Sequence, residues 1–232
     1  MSAVTPHRPV DPAILAAQSR EDVVVGNEIV RHNRASRLIH WAVAITFLVC
    51  LLSGMPIWSP VFGWMAHLFG GLSVCRVLHP WAGVAFFIAS VAMFFQWVSD
   101  MRLEPAERDW LGPRAIQYMR YQTDDSQVGK YNGGQKLYFW AVSLGAVGLL
   151  LSGLLMWFPA GFPPLVRQLA YLIHDFTFFC FAVSLVFHVY LGTAAEPGTF
   201  GSMIRGTVTK AWARLHHPRW SREVTGEETR RT

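Results

Sequence analysis

Residues 165–192 read LVRQLAYLIHDFTFFCFAVSLVFHVYLG, and the fold follows from that stretch. It is almost wholly apolar and long enough to cross a hydrocarbon core of about 30 Å as a helix. It also carries two histidines, His174 and His188. Ionisable side chains are costly at membrane depth, so both are functional candidates. They lie 14 residues apart, which is about 3.9 helical turns, so they share one face at a spacing of about 21 Å. That arrangement suits two sites stacked across a membrane, one near each surface, provided the chain supplies two more ligands at matching depths.

The composition agrees with a membrane protein. The 232 residues are 52% hydrophobic and only 15% charged, with a mean hydropathy of +0.28, whereas a soluble domain carries about 25% charged residues. A net charge of +5 is what basic cytoplasmic loops give a polytopic protein. No basic helix carries base-reading side chains, so no nucleic-acid partner is expected. Cys50, Cys75 and Cys180 are scattered, with no Cys-x-x-Cys pair. Four thiolates are the usual complement of an iron–sulfur cluster, and covalent haem attachment needs Cys-x-x-Cys-His. Any haem in this chain is therefore expected to be non-covalent, of b type.

Working outward, the sequence predicts an all-α integral membrane protein, a four-transmembrane-helix bundle with spans at about 39–58, 79–97, 137–158 and 165–192. Residues 1–28 are polar, contain Pro6, Pro9 and Pro12, and read as a cytoplasmic extension without a signal peptide. Residues 29–200 hold the spans, and 201–232 form a basic tail. Between the first two spans, Ser59–Leu78 carries Trp64, His67 and Phe69 around Gly70-Gly71, an aromatic segment suited to the membrane surface. Pro80 either opens span two or kinks it. Residues 98–136 form a long polar loop. In span three, Ala141, Gly145, Gly148 and Ser152 put small residues at helix-packing intervals. The string Leu51-Leu-Ser-Gly-Met-Pro-Ile-Trp58 is echoed by Leu150-Leu-Ser-Gly-Leu-Leu-Met-Trp157. The echo reads as a common way of ending a helix at one membrane face, not as a duplication.

Orientation follows from Lys and Arg. The N-terminal tail, the 98–136 loop and the C-terminal tail together hold 18 of the 20, and the two opposite connections hold only Arg76 and Arg167. Both termini are therefore expected in the cytoplasm. His40 then opens span one on the cytoplasmic side, and His79 opens span two on the opposite side. Span four descends from that opposite side, which pairs His79 with His174 at the outer level and His40 with His188 at the inner one. Each pair offers two imidazoles at one depth, the axial set of a six-coordinate haem iron, so two haem b groups are expected. One histidine alone in a span is ordinarily a packing residue; two depth-matched pairs are a pattern. His7, His32, His67, His216 and His217 fall in tails or loops and read as non-ligands.

Arg37 and Arg76 each precede a candidate ligand by three residues and share its helix face. They suit haem propionates, and equally suit interfacial anchors. Asp175, beside His174, has no assigned role. The segment Lys130-Tyr-Asn-Gly-Gly-Gln-Lys136 stands at the start of span three on the inner side. Asn132 and Gln135 supply amides for quinone carbonyls, and Gly133 and Gly134 permit close backbone approach; a capping turn with headgroup lysines would look the same.

Arg37-x-x-His40-Trp41, Arg76-Val-Leu-His79-Pro80, Lys130-Tyr-Asn-x-Gly-Gln-Lys136, Leu172-Ile-His174, His188-Val-Tyr190 and His216-His-Pro-Arg-Trp220 occur in that order. Together they resemble the gamma, or cytochrome b556, subunit of respiratory membrane-bound formate dehydrogenase, over about residues 29–224. The first 28 residues and the Asp175-Phe176 pair depart from that pattern. The resemblance implies a bacterial inner-membrane, multi-pass subunit. Its partners would be an iron–sulfur beta subunit and a molybdenum- or tungsten-pterin alpha subunit. Within that complex it would take electrons from the periplasmic side and reduce a quinone, menaquinone or ubiquinone, at the cytoplasmic side. It also implies haem ligation by His40, His79, His174 and His188, and a quinone bordered by Asn132, Gly134, Gln135 and the second nitrogen of His188. Two rival readings stand beside it. One is the cytochrome b subunit of a nickel–iron hydrogenase or a related quinone-linked oxidoreductase. The other is a haem-free membrane anchor, or a transporter whose histidines relay protons.

Overall fold

The structure, a computed structural model, describes residues 12–104, 107 and 126–227. Most of the expected 98–136 loop, the first 11 residues and the last five lie outside the described residues. In chain order the elements are α1 (Pro12–Ala17), β1 (Val23–Val25), β2 (Glu28–Val30), α2 (Arg34–Trp58), a 3-10 segment (Pro60–Phe69), α3 (Leu72–Trp97) and α4 (Gly133–Trp157). Then come α5 (Pro164–Tyr190), a π turn (Leu191–Ala195), α6 (Thr199–Ile204), β3 (Thr207–Thr209), α7 (Lys210–His216) and α8 (Pro218–Thr225). They form two compact units. One comprises Met1–Arg37, Asp124–Lys130 and Pro197–Thr232, and the other Leu38–Thr123 and Tyr131–Glu196.

The larger unit is helical. α2, α3, α4 and α5 with its π turn are each long and apolar enough to cross a membrane. They start earlier than hydropathy alone suggests: α2 begins at Arg34 and α3 at Leu72. A helix continues beyond its apolar stretch for as long as its backbone bonds are made, and here glycine sets the boundary. Gly70 and Gly71 sit at φ 89° and 119°, a region side chains avoid, and they separate the 3-10 segment from α3. Pro80 therefore lies inside α3, with His79 in its interior rather than at its opening.

Close approach of α4 to α5 depends on the small-residue stripe. A Cβ on Gly145 would lie 2.2 Å from Phe181 Cε2, and one on Gly148 3.8 Å from Thr177 Oγ1. α2, by contrast, meets its neighbours through side chains rather than close backbone approach. Mid-unit, Phe47, Phe86, Ala146 and Phe181 form a buried cluster, with Phe47 5.5 Å from Phe86 and 5.6 Å from Phe181 between ring centroids. Each phenylalanine stands seven residues from a histidine: 47 from 40, 86 from 79, 181 from both 174 and 188. Seven residues is about two turns, so the aromatic cluster occupies the level between the two histidine pairs.

The smaller unit departs from an all-α expectation, since it contains a three-stranded antiparallel sheet ordered β1-β2-β3. Gly26-Asn27 turns the first hairpin, with Val25 opposite Glu28 and Gly26 at φ 57°, where glycine at the first turn position is favoured. β3 arrives from the C-terminal tail, Ile29 facing Val208. The two segments read as separate tails thus share one core of Ile29, Val208, Trp212, Ala213 and Trp220. Arg31 is buried in this unit, its guanidinium 4.8 Å from the Trp212 ring centroid and 5.5 Å from that of Trp220. Its Nη2 donates to the Lys130 carbonyl at 2.7 Å. His217 is 1% exposed, with Nδ1 2.7 Å from the Gly129 carbonyl. Lys130 Nζ pairs with Glu21 at 2.8 Å and with Asp22 at 3.0 Å, and Trp220 Nε1 donates to Asp22 at 2.9 Å. The tail motif is therefore structural, and it clasps the segment that ends in Lys130.

Burial, with the nearby charges of Arg31 and His216, holds the His217 imidazole well below its ordinary value of 6.5, against the opposing bond to Gly129. Burial also works against ionisation of Glu21, but Lys130, Ser36 and the Asn33 amide outweigh it and hold that carboxyl below 4.5. Both depressed values act with one sign: the unfolded chain binds more protons, so the unit loses stability as pH falls. The loss should begin below about pH 6.5 through His217 and grow below 4.5 through Glu21, and limited proteolysis of the C-terminal tail between pH 8 and 4 should show it. A pH-independent cleavage rate would contradict this. In the helical unit, Phe181→Ala should cost about 3–5 kcal/mol and Gly145→Ala about 1–3 kcal/mol. The double variant should lose less than the sum, since the new methyl enters space the ring vacates; thermal unfolding of the four proteins checks it.

Candidate metal centres

The four span histidines converge in two pairs within the helical unit. His40 of α2 and His188 of α5 have ring centroids 6.1 Å apart, and His79 of α3 and His174 of α5 have centroids 6.2 Å apart. A metal held by two imidazole nitrogens at about 2.0 Å each, with about 1.1 Å more from each nitrogen to its centroid, spaces the rings about 6 Å apart. The geometry thus fits one metal per pair. Among the described residues no cluster of three His, Cys, Asp or Glu exists. Each pair therefore offers two nitrogens only, the complement to a macrocycle that fills four positions.

The His79/His174 pair is seated by two matching turns. His79 Nδ1 lies 3.1 Å from the Cys50 carbonyl and 3.4 Å from Ser53 Oγ. His174 Nδ1 lies 3.0 Å from Ser152 Oγ. The neighbouring glycines make room for the rings: a Cβ on Gly54 would stand 2.8 Å from His79 Cε1, and one on Gly153 3.5 Å from His174 Cε1. These four residues are the Ser-Gly of the repeated Leu-Leu-Ser-Gly string. Sequence reading saw the echo without its use, because the partner histidines lie 26 and 22 residues further on.

The His40/His188 pair is held differently. His40 Nδ1 is buried without a hydrogen-bond partner among the described residues, and the Trp41 ring meets His40 edge-on at 5.4 Å. His188 is exposed, and Tyr138 stacks on its ring at 5.1 Å and 18°. No sequence signal pointed to Tyr138; it is one turn into α4, where an aromatic residue is unremarkable.

Asn132 is the N-cap of α4 in a reciprocal capping box: its Oδ1 accepts from Gln135 N at 2.8 Å, and Gln135 Oε1 accepts from Asn132 N at 3.0 Å. Both amide oxygens thus serve the helix. Gly133 and Gly134 form the first turn, whose N–H groups have no helical acceptor. Lys136 is buried, donating to the Arg102 carbonyl at 3.0 Å and pairing with Glu107 at 2.7 Å. Arg37 donates to the Ile204 carbonyl at 2.7 Å and to Gln18 Oε1 at 3.1 Å, partners that compete with a propionate. Arg76 is exposed three residues before His79. Asp175 is half-buried, and its carboxylate acts electrostatically on the neighbouring His174.

Residues 31–206 match the family profile described as prokaryotic cytochrome b561. The chain is 34% identical over 200 residues to the formate dehydrogenase cytochrome b556(fdo) subunit of Escherichia coli K12, covering 84% of this chain and 93% of that one. It is 32% identical over 206 residues to the nitrate-inducible formate dehydrogenase cytochrome b556(Fdn) subunit of the same strain, covering 88% and 94%. The formate dehydrogenase cytochrome b556 subunit of Haemophilus influenzae is 29% identical over 211 residues, covering 88% and 87%.

The two glycines give a graded expectation. Gly54→Ala should displace His79 and remove one of the two centres, whereas Gly153→Ala, with ordinary van der Waals room, should retain both. Haem content per polypeptide in the purified variants measures this, and equal content in the two would contradict it.

Proposed function

This chain belongs to the prokaryotic cytochrome b561 family, among the cytochrome b556 subunits of formate dehydrogenase, and we propose that it carries electrons from formate oxidation across the membrane to quinone. It is a multi-pass, haem b-containing membrane subunit, and catalytic partner subunits follow from its relatives. The finer reading is ours. His79 and His174 would hold one haem b on the periplasmic side, and His40 and His188 a second on the cytoplasmic side. Bound haem supplies one-electron transfer by the iron, and the protein supplies ligands, spacing and electrostatics. The observation that carries this reading is the pair of near-equal ring separations, 6.1 and 6.2 Å, at two levels of one helix.

The orientation rests on the basic residues. With 18 of 20 Lys and Arg in the termini and the 98–136 loop, those segments belong in the cytoplasm of a bacterial inner membrane. An iron–sulfur subunit would then deliver electrons on the opposite side, downstream of a molybdenum- or tungsten-pterin subunit. Formate releases two electrons and a proton on becoming carbon dioxide, and a quinone takes two electrons and two protons on becoming quinol. Protons drawn from the cytoplasm separate charge without a pump.

For the quinone, the first turn of α4 is the favoured place. Its backbone N–H groups and the Gln135 amide are donors for a carbonyl oxygen, Asn132 borders the same turn, and Gly134 adds no side chain. His188 supports the same location: it is exposed, and its Nδ1 makes no hydrogen bond among the described residues. Arg76, exposed beside His79, would meet a propionate carboxylate.

A dithionite-reduced minus oxidised spectrum of the purified subunit should show b-type bands, with two haems per chain; a spectrum without them overturns the reading in favour of a haem-free anchor or proton relay. Formate, not hydrogen, should reduce those haems in the assembled complex. His188→Ala should abolish the cytoplasmic-side haem and lower quinone reduction at least 100-fold, while formate still reduces the other haem. Normal quinone reduction by that variant would place the site elsewhere.

A further inference from the structure

The repeated Leu-Leu-Ser-Gly string has a chemistry as well as a shape. Its chemistry is in the hydroxyl hydrogens. Ser53 Oγ lies 2.6 Å from the Val49 carbonyl and 3.3 Å from that of Cys50; Ser152 Oγ lies 2.6 Å from Gly148 O and 3.3 Å from Leu149 O. A hydroxyl has one hydrogen, and in both serines it is committed to the carbonyl four residues back. Toward a histidine nitrogen each serine can then only accept. The Cys50 carbonyl, 3.1 Å from His79 Nδ1, can likewise only accept. Both rings must therefore carry their proton on Nδ1, leaving the Nε2 lone pair for a metal.

The two levels differ in this respect. Both rings of the His79/His174 pair donate to acceptors, whereas His40 Nδ1 has no partner and His188 none among the described residues. Donating Nδ1–H to an acceptor raises the basicity of Nε2 and favours the more oxidised metal. We propose that Ser53 and Ser152 are positioning residues that fix the Nδ1–H tautomer of His79 and His174 and lower the reduction potential of the metal between them below that of the metal between His40 and His188. The inference rests on the haem reading above and deepens it. Electrons arriving at the periplasmic side would meet the harder-to-reduce centre first and move on downhill. Ser152, at 3.0 Å, should contribute more than Ser53, at 3.4 Å.

The test is a potentiometric titration of the complete complex, followed at the b-type absorbance, with haem content measured in parallel. The wild type should titrate in two waves, and His79→Ala should remove the lower one, which identifies it. Ser152→Ala should make the lower centre easier to reduce by about three-fold in equilibrium constant, about 28 mV at 59 mV per tenfold for one electron. Ser53→Ala should give a smaller shift in the same direction, and the upper wave should stay in place. Ser152→Thr, which keeps a hydroxyl, should restore the wild-type wave. If alanine costs the haem itself, Ser152→Cys, a weak acceptor of similar size, should show the shift. An unmoved lower wave at full haem content overturns the proposal, as does movement of the upper wave or loss of the haem in the threonine variant too. A wild type without b-type bands would instead overturn the haem reading on which it rests.

Discussion

Two imidazole rings held 6.1 or 6.2 Å apart leave room for one metal atom between them, and holding that distance at two levels is the constraint that the helical unit obeys. A metal–nitrogen bond tolerates little change in length, whereas apolar helices slide against one another easily. The unit resolves this with a common interval of seven residues. His40 and Phe47, His79 and Phe86, and His174, Phe181 and His188 are each one such step apart. Because the interval is nearly two full turns, a histidine and its phenylalanine stay on one face. The three rings interlock midway and set the axial register of α2, α3 and α5 from a dry, close-packed layer. Gly145 lets α4 come close enough to support Phe181 from behind.

Seen through the Ser-Gly turns, the four spans are two similar hairpins. In each, the end of the first helix offers a serine and a glycine to a histidine near the start of the second: Ser53-Gly54 to His79, Ser152-Gly153 to His174. The resemblance stops at the other end, where His40 comes from the start of α2 and His188 from the end of α5. Here no turn receives either Nδ1. For the buried His40 ring this has a cost, since a buried donor or acceptor left unmatched loses about 1–3 kcal/mol. Leaving the His188 nitrogen uncommitted is useful if a substrate carbonyl is to reach it. A ring already bonded on both nitrogens could hold a metal but could not also touch a quinone.

Much of this was readable in advance, for identifiable reasons. Span number and the pairing of histidines by depth follow from the high cost of polar groups in hydrocarbon, a force strong enough to leave a one-dimensional trace. The helix starts at Arg34 and Leu72 left no such trace, because hydropathy measures the bilayer and not the helix. The serine bonds were hidden for another reason: a serine four residues from a carbonyl is commonplace, and its value depends on a histidine more than twenty residues away. The Gly26-Asn27 hairpin is a good local signal, with Val23-Val24-Val25 before it and Glu28-Ile29-Val30 after. Two three-residue strands bury too little alone, however, and the third arrives from residue 207.

The Lys130–Lys136 segment shows how one string can satisfy two readings. It divides at Lys130, which belongs to the smaller unit, where Glu21 and Asp22 neutralise it. From Asn132 onward it is the start of a helix, and both amide oxygens accept in its capping box. That use is compatible with a ligand at the same turn. Beside the capping box, the first-turn backbone N–H groups of Gly133 and Gly134 and the Gln135 amide N–H groups are donors. Such a set suits an electron acceptor with carbonyl oxygens, whose negative charge grows on reduction, and suits poorly a ligand that must itself donate. The capping reading of these residues is correct about the helix, and the first-turn donors beside the cap are what the same turn can offer a carbonyl.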